Sequence, residues 1–251
     1  MTDIIAHPGG HRRLSLLAMG RGLLARVPGD CPLCGARVRG ARLCEGCEAD
    51  LAIDPRTPRC RRCALRLGLT APHCTACLAM PRAFARTIAA FDYEPPADAL
   101  VSQLKTQLRL SAAPVLAHLL AQAVRRHEAL PTGLLLVPVP ASRASLRRRG
   151  MNPAAEIARG LAAQLMLPLA CTALRRRRET PRQTALGRHA RVRGATGAFH
   201  CVRNLAGRHV GLVDDVMTTG STVHAAAKAL RAAGAVSVTV LVAARTPRAP
   251  G

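Results

Sequence analysis

Apolar residues fall into two arrangements along this chain: short continuous runs, and longer stretches that repeat every three or four positions. The runs predict strands at Thr87 to Tyr93, Leu134 to Val139 and His209 to Val213, the second continuous enough for a central parallel strand. The repeats predict helices over Ala97 to Leu108, Pro114 to His127 and Asn152 to Leu165, and again through Val223, Ala226, Ala227 and Leu230. Strand and helix alternate, as in an α/β domain. Upstream, Leu14, Leu16, Leu17, Leu23 and Leu24 predict a short amphipathic helix lying on the protein itself. A signal peptide fits less well, because Arg21 interrupts the run and no small-residue cleavage site follows. No apolar run reaches the roughly 18 residues of a membrane span, and the cytoplasm is the expected compartment.

The 251 residues have room for one such domain and a small module. The chain contains no Trp, one Tyr and three Phe, so its core must rest on close packing of Ala, Leu and Val rather than on aromatic anchors. The formal net charge is +23, with Lys105 and Lys228 the only lysines. A surface this basic attracts polyanions, which makes nucleic acid or anionic phosphates the expected partners. The excess is concentrated in two places. One is Arg143, Arg147, Arg148 and Arg149; the other is Arg175, Arg176, Arg177 and Arg178 with Arg182, Arg188, Arg191 and Arg193.

The stretch from Val210 to Val223 carries the most chemistry. Asp214 and Asp215 close an apolar strand, Val216 and Met217 follow, and Thr218, Thr219, Gly220, Ser221 and Thr222 form a hydroxyl-rich turn opening a helix. Such a turn aims backbone N–H groups and the positive end of the helix dipole at one point, so a phosphate monoester is held without a lysine. Carboxylates are poor phosphate ligands but good acceptors from sugar hydroxyls, so the acidic pair beside this cradle suits the 2′ and 3′ OH groups of a ribose. A 5-phosphoribosyl group has both parts. The plainer alternative is a capping turn with two solvated aspartates.

Cys31 and Cys34, Cys44 and Cys47, Cys60 and Cys63, and Cys74 and Cys77 form four Cys-x-x-Cys knuckles. Each knuckle brings two thiolates to one ion, and two knuckles complete a tetrahedral zinc site with no open position. The simplest arrangement joins the first two knuckles and the last two; an interleaved one is open on sequence alone. Disulfides are the alternative, but they want an oxidising compartment. So few apolar residues lie here that the metal must supply the stability of the module. Cys171 and Cys201 stand apart and read as small core residues.

At Asp214 to Thr222 the sequence resembles the type I phosphoribosyltransferases, nearly residue for residue over their phosphoribosyl pyrophosphate (PRPP) loop. The resemblance implies a parallel sheet flanked by helices, ribose hydroxyls on Asp214 and Asp215, the 5-phosphate on Thr218 to Thr222, and Mg²⁺ bound with PRPP. It narrows at Val137-Pro138-Val139-Pro140, Arg147-Arg148-Arg149-Gly150-Met151-Asn152, Thr180-Pro181-Arg182-Gln183-Thr184 and Gly197-Ala198-Phe199. Together these look like the ComF family of competence-associated, amidophosphoribosyltransferase-like proteins, which also carry an N-terminal double zinc ribbon. Departures are visible: Met151 and Pro153 stand where the family has Phe and Gln, Gly194 replaces a common Asn, and a Lys-Tyr-Arg-Gly stretch survives only as Lys105.

The expected organisation is an amphipathic helix over 1–29, a double zinc ribbon over 30–80, a phosphoribosyltransferase-like domain over 81–246 and a tail over 247–251. In such a fold Arg147, Arg148 and Arg149 sit in the loop that receives pyrophosphate. Arg175 to Arg193 fall where a hood covers the substrate, and a solvated basic loop is the competing reading. Two functions are implied. One is transfer of a pentosyl group from PRPP to a nitrogen nucleophile, which by itself names no acceptor. The other is binding of single-stranded DNA during uptake, with Arg147 to Arg149 and Arg175 to Arg178 as the backbone contacts. No glutamine-hydrolysing stretch precedes the domain, which argues against a glutamine-dependent amidotransferase.

Overall fold

The computed structural model describes residues 27–68, 70–127, 130–177 and 197–247. The predicted N-terminal helix, Arg178 and most of the predicted hood lie outside the described residues. The described residues begin with two small modules. In the first, β1 (Pro28–Asp30) pairs antiparallel with β2 (Arg37–Arg39), and α1 (Glu45–Leu51) follows. The second closes with α2 (Thr75–Ala79).

The larger part is built on β3 (Arg86–Asp92), α3 (Asp98–Lys105), α4 (Ala112–Arg126), β4 (Leu135–Pro138), α5 (Arg143–Arg149), α6 (Pro153–Leu165), β5 (Leu174–Arg176), β6 (Phe199–Cys201), β7 (His209–Met217), α7 (Ser221–Ala232) and β8 (Ser237–Arg245). Strands β3, β8, β7 and β4 lie in that order in one sheet, all parallel. β5 and β6 form a separate antiparallel pair.

Side chains alternate across the sheet. Ile88, Ala90, Leu241 and Ala243 pack with α4 and α6 on one face; Ala89, Val240, Val242 and Leu212 pack with α7 on the other. Both faces are therefore dry, which is why β8 reads as a continuous apolar run. The helix layer is tight. A Cβ placed on Gly160 of α6 meets Ala117 Cβ of α4 at 2.6 Å, so these helices touch almost backbone to backbone. That is the packing an Ala-rich, aromatic-poor core requires.

The two cysteine modules straddle the sheet. Cys31 and Leu43 join the core on the α4 face, whereas Cys60, Cys63, Cys74 and Cys77 join the core on the α7 face.

Three expectations need correction. β7 does not stop at Val213 but continues through the acidic pair to Met217, because β8 keeps pairing with it as far as Met217 opposite Arg245. Arg147, Arg148 and Arg149 are not in an open turn. They form the last turn of α5, which starts where Ser142 Oγ accepts from Ser145 N–H at 3.1 Å and ends at Gly150 with φ of 70°. Cys171 is exposed rather than core.

Candidate functional site

The site lies where β7 and β4 end, at the carboxyl edge of the sheet, the position at which open α/β sheets bind ligands. After Met217 the chain bends through 218–220 and enters α7. Gly220 makes the bend. Its φ is 75°, and a Cβ there would meet Met217 Cε at 2.5 Å. Thr219 Oγ1 and Ser221 Oγ are 3.0 Å apart, and Ser221 N–H donates to Thr219 Oγ1 at 3.4 Å. The N-cap residue of α7 is Gly220, which has no side chain to cap it, and Thr218, Thr219 and Thr222 are exposed. The turn thus offers hydroxyls and a helix N-terminus to an external anion.

Asp214 and Asp215 differ in environment. Asp215 is buried and forms an ion pair with Lys105 Nζ of α3 at 2.9 Å. Asp214 is partly accessible, and its carboxyl is pushed up to about 8, chiefly by desolvation and then by the charge of Asp215. Lys105, the N–H of Asp215 and Arg176 oppose that rise. The pair therefore shares one strong cation, and Asp214 is the carboxyl left short of partners. Lys105 was visible in sequence only as a remnant of a motif; nothing along the chain pointed to Asp215, 110 residues away, as its partner.

Arginines lie on two further elements of the domain. Arg147 and Arg148 of α5 are exposed, and Asn152 Nδ2 ties the start of α6 to the Val139 carbonyl at 3.0 Å, fixing the connection that follows β4. From the β5–β6 pair, Arg176 lies over the Phe199 ring at 5.1 Å, with its Nε buried and without a partner among the described residues. Arg175 and Arg177 are exposed beside it. Behind the turn, Arg245 is 5% exposed and donates from Nη1 to the carbonyls of Met217 at 3.0 Å and Thr218 at 2.6 Å. Sequence reasoning missed Arg245, which sits at the end of an apolar run where a cation has no local signature.

The eight clustered thiols form two groups, Cys31, Cys34, Cys44 and Cys47, and Cys60, Cys63, Cys74 and Cys77, with the four sulfurs of each within 4.8 Å of one another. This is the consecutive pairing. Cys34 and Cys44 Sγ are 3.5 Å apart, and Cys63 and Cys74 Sγ 3.6 Å. Those are not bonded sulfurs. They match the edge of roughly 3.8 Å that four sulfurs make around a tetrahedral ion at about 2.3 Å. Either group can hold a metal ion, and neither leaves a position for substrate.

The family model for the phosphoribosyl transferase domain matches residues 145–250. The DNA utilization protein YhgH of Salmonella typhi is 35% identical over 225 residues, covering 88% of this chain and 98% of its own. Competence protein F of Haemophilus influenzae is 31% identical over 204 residues, covering 79% and 88%. The solved allosteric regulatory enzyme of purine biosynthesis aligns at 27% identity over 53% of this chain and 25% of its own, with a TM-score of 0.35. No helix among the described residues is long and apolar enough to cross a membrane. Sharing a third of its residues with YhgH along nearly its whole length, and carrying the phosphoribosyl transferase domain behind two four-cysteine groups, the chain belongs to the ComF family.

Proposed function

We propose that the protein binds PRPP, or another ribose 5-phosphate compound, at the carboxyl edge of the sheet. The observation that carries this is the bend from β7 into α7, where an acidic pair and a hydroxyl-rich helix start with Gly at its N-cap stand side by side. In this reading Thr218, Thr219, Gly220, Ser221 and Thr222 hold the 5-phosphate, and Asp214 and Asp215 accept from the ribose hydroxyls. Lys105 holds Asp215 in place through their 2.9 Å contact. Arg147, Arg148, Arg149 and Arg176 supply positive charge for a pyrophosphate, the group that must be stabilised if the pentosyl unit is transferred. Mg²⁺ fits the same place, since carboxylate and phosphate oxygens are its preferred ligands; when bound it neutralises pyrophosphate charge. The four-cysteine groups are read as structural zinc sites. Isothermal titration with PRPP, with and without Mg²⁺, tests the assignment: Asp214→Ala with Asp215→Ala abolishes binding while leaving the melting transition cooperative, and unchanged affinity refutes it.

A second reading is compatible with the first. The net charge and the names of the relatives, a DNA utilization protein and a competence protein, favour binding of single-stranded DNA. Arg147 to Arg149 and Arg175 to Arg178 are its proposed contacts. Aromatic side chains are too few for a stacking platform, so the phosphates would dominate that interaction.

A further inference from the structure

A second group of cations meets on the α7 face, toward the end of the sheet where the strands begin. Arg62 from the knuckle of the second cysteine module, Arg82 from the segment before β3, and Lys228 and Arg231 from α7 line a cleft of about 500 Å³ beside Ser237. Four positive side chains from three separate pieces of chain converge there, and no carboxylate lines the cleft. Like charges held together at this range repel, and the missing acid leaves a place for an external anion.

The hydrogen bonding sharpens the point. The Nε atoms of Arg62 and Arg82 are buried and have no partner among the described residues, and neither guanidinium is paired with a carboxylate lining the cleft. Arg231 is already spent on the carbonyls of Ala235 and Val236 and serves as a wall. His224, one turn ahead of Lys228, accepts from Ala83 N–H at 3.1 Å and so pins the backbone next to Arg82. Burial first, then the charges of Arg82 and Lys228, hold its imidazole below the usual range, so it stays a neutral acceptor. The aromatic residue at the cleft, Phe84, is 2% exposed and offers no face for stacking. A ligand here is recognised by its phosphate and not by a base.

We propose that this cleft is a second anion site, in which Arg62, Arg82 and Lys228 take the phosphate group of a phosphate ester. It is separate from the bend at Gly220. β8 alone runs nine residues from Ser237 beside the cleft to Arg245 behind the bend, a span of roughly 26 Å, so no single pentose phosphate reaches both.

The two lysines make the test direct, because each reports one site: Lys228 the cleft, and Lys105 the acidic pair. Amine acylation of the purified full-length chain is followed at each lysine by peptide mass spectrometry, alone and with inorganic pyrophosphate or a short thymidine oligonucleotide. One probe or both slow acylation of Lys228 about tenfold, and Arg82→Ala removes that protection; Arg82→Gln, which keeps the volume, does the same if the alanine variant melts early. Protection by the oligonucleotide alone identifies the backbone of a nucleic acid as the source of the phosphate. Protection by pyrophosphate as well shows that a free phosphate compound suffices. A Lys228 rate indifferent to both probes overturns the proposal, as does protection that persists undiminished without Arg82. Protection of Lys105 by PRPP is scored separately, so failure of one site leaves the other standing or falling on its own result.

Discussion

Arg245 donates from Nε to the carbonyl of Cys63 at 2.9 Å, across 182 positions of sequence. The same guanidinium holds the carbonyls of Met217 and Thr218. One buried cation therefore joins a cysteine of the second four-thiol group to the start of the turn that follows β7. A second tie lies nearby. Arg59 meets Asp92 at the end of β3 through two bonds of 2.9 and 2.6 Å, and Arg66 pairs with the same carboxylate. These cations hold the Asp92 carboxyl below its usual range against the opposing effect of burial.

Loss of metal from the second cysteine group is thus expected to reach the ligand site. Metal analysis of the purified chain yields about two zinc ions. Chelation lowers PRPP affinity in titration before the sheet unfolds by circular dichroism. Arg245→Met, which takes the guanidinium away from the carbonyls of Cys63, Met217, Thr218 and Thr246, destabilises the protein by about 3 kcal/mol and weakens PRPP binding even with zinc retained. Equal PRPP affinity in holo and chelated protein would show that Arg245 transmits nothing.

Asp214 sets a pH dependence whose sign follows from its surroundings. Its carboxyl is raised to about 8 when folded, above the unfolded value, so the folded state holds a proton that the unfolded state has lost. Stability of the free protein is expected to fall as pH rises from about 4 to about 8. Asp214→Asn removes that part of the slope. Denaturant midpoints of parent and variant, measured across this range, converge at the acidic end and separate at the alkaline end in favour of the variant. Parallel curves would mean that Asp214 titrates normally.

Gly220→Ala should injure binding more than folding. The Met217 thioether can swing away from the new methyl, but φ of 75° is left-handed, and a Cβ there costs roughly 1 to 2 kcal/mol. A modest loss of melting temperature is expected with a larger loss of PRPP affinity, because the turn relaxes toward an ordinary helix entry. An alanine variant that binds like the parent would free the turn from any role.

For DNA the expected signature is salt. Affinity for a single-stranded oligonucleotide falls steeply with ionic strength, and replacing Arg175, Arg176, Arg177 and Arg178 by Ala weakens binding across sequences and flattens that dependence. A mutant with the parent's salt titration would move the interface away from the β5–β6 pair, with the Arg62, Arg82 and Lys228 cleft as the next place to look.

Local signals were legible in the chain and long-range ones were not. The strands at Thr87 and Leu134, the helix ending at Leu165 and the turn at Thr218 to Thr222 announce themselves through period and composition. The knuckles give the eight clustered thiols by spacing, and geometry decides between consecutive and interleaved grouping. β7 was read too short because two aspartates look like the end of an apolar run; its length is decided by β8, whose last residue still pairs with Met217. The partnership of Lys105 with Asp215, the reach of Arg245 to Cys63 and the meeting of Arg62 with Lys228 come from the fold alone, since no pattern within a few residues encodes any of them.

The placement of the cysteine modules on opposite faces of the sheet has a further effect. Helix α1 of the first module touches β3, and Arg59 and Arg66 of the second grip its end at Asp92. The chain between the modules therefore passes around the β3 side like a clasp. The opposite edge is closed too, by Leu136 N–H on the Pro168 carbonyl and Ala170 N–H on the Leu136 carbonyl, at 2.8 and 2.9 Å. A parallel sheet with a bare border is a template for strands of other molecules. With its cysteine modules unfolded, this protein is expected to expose such a border before its core comes apart, and to be lost first to aggregation.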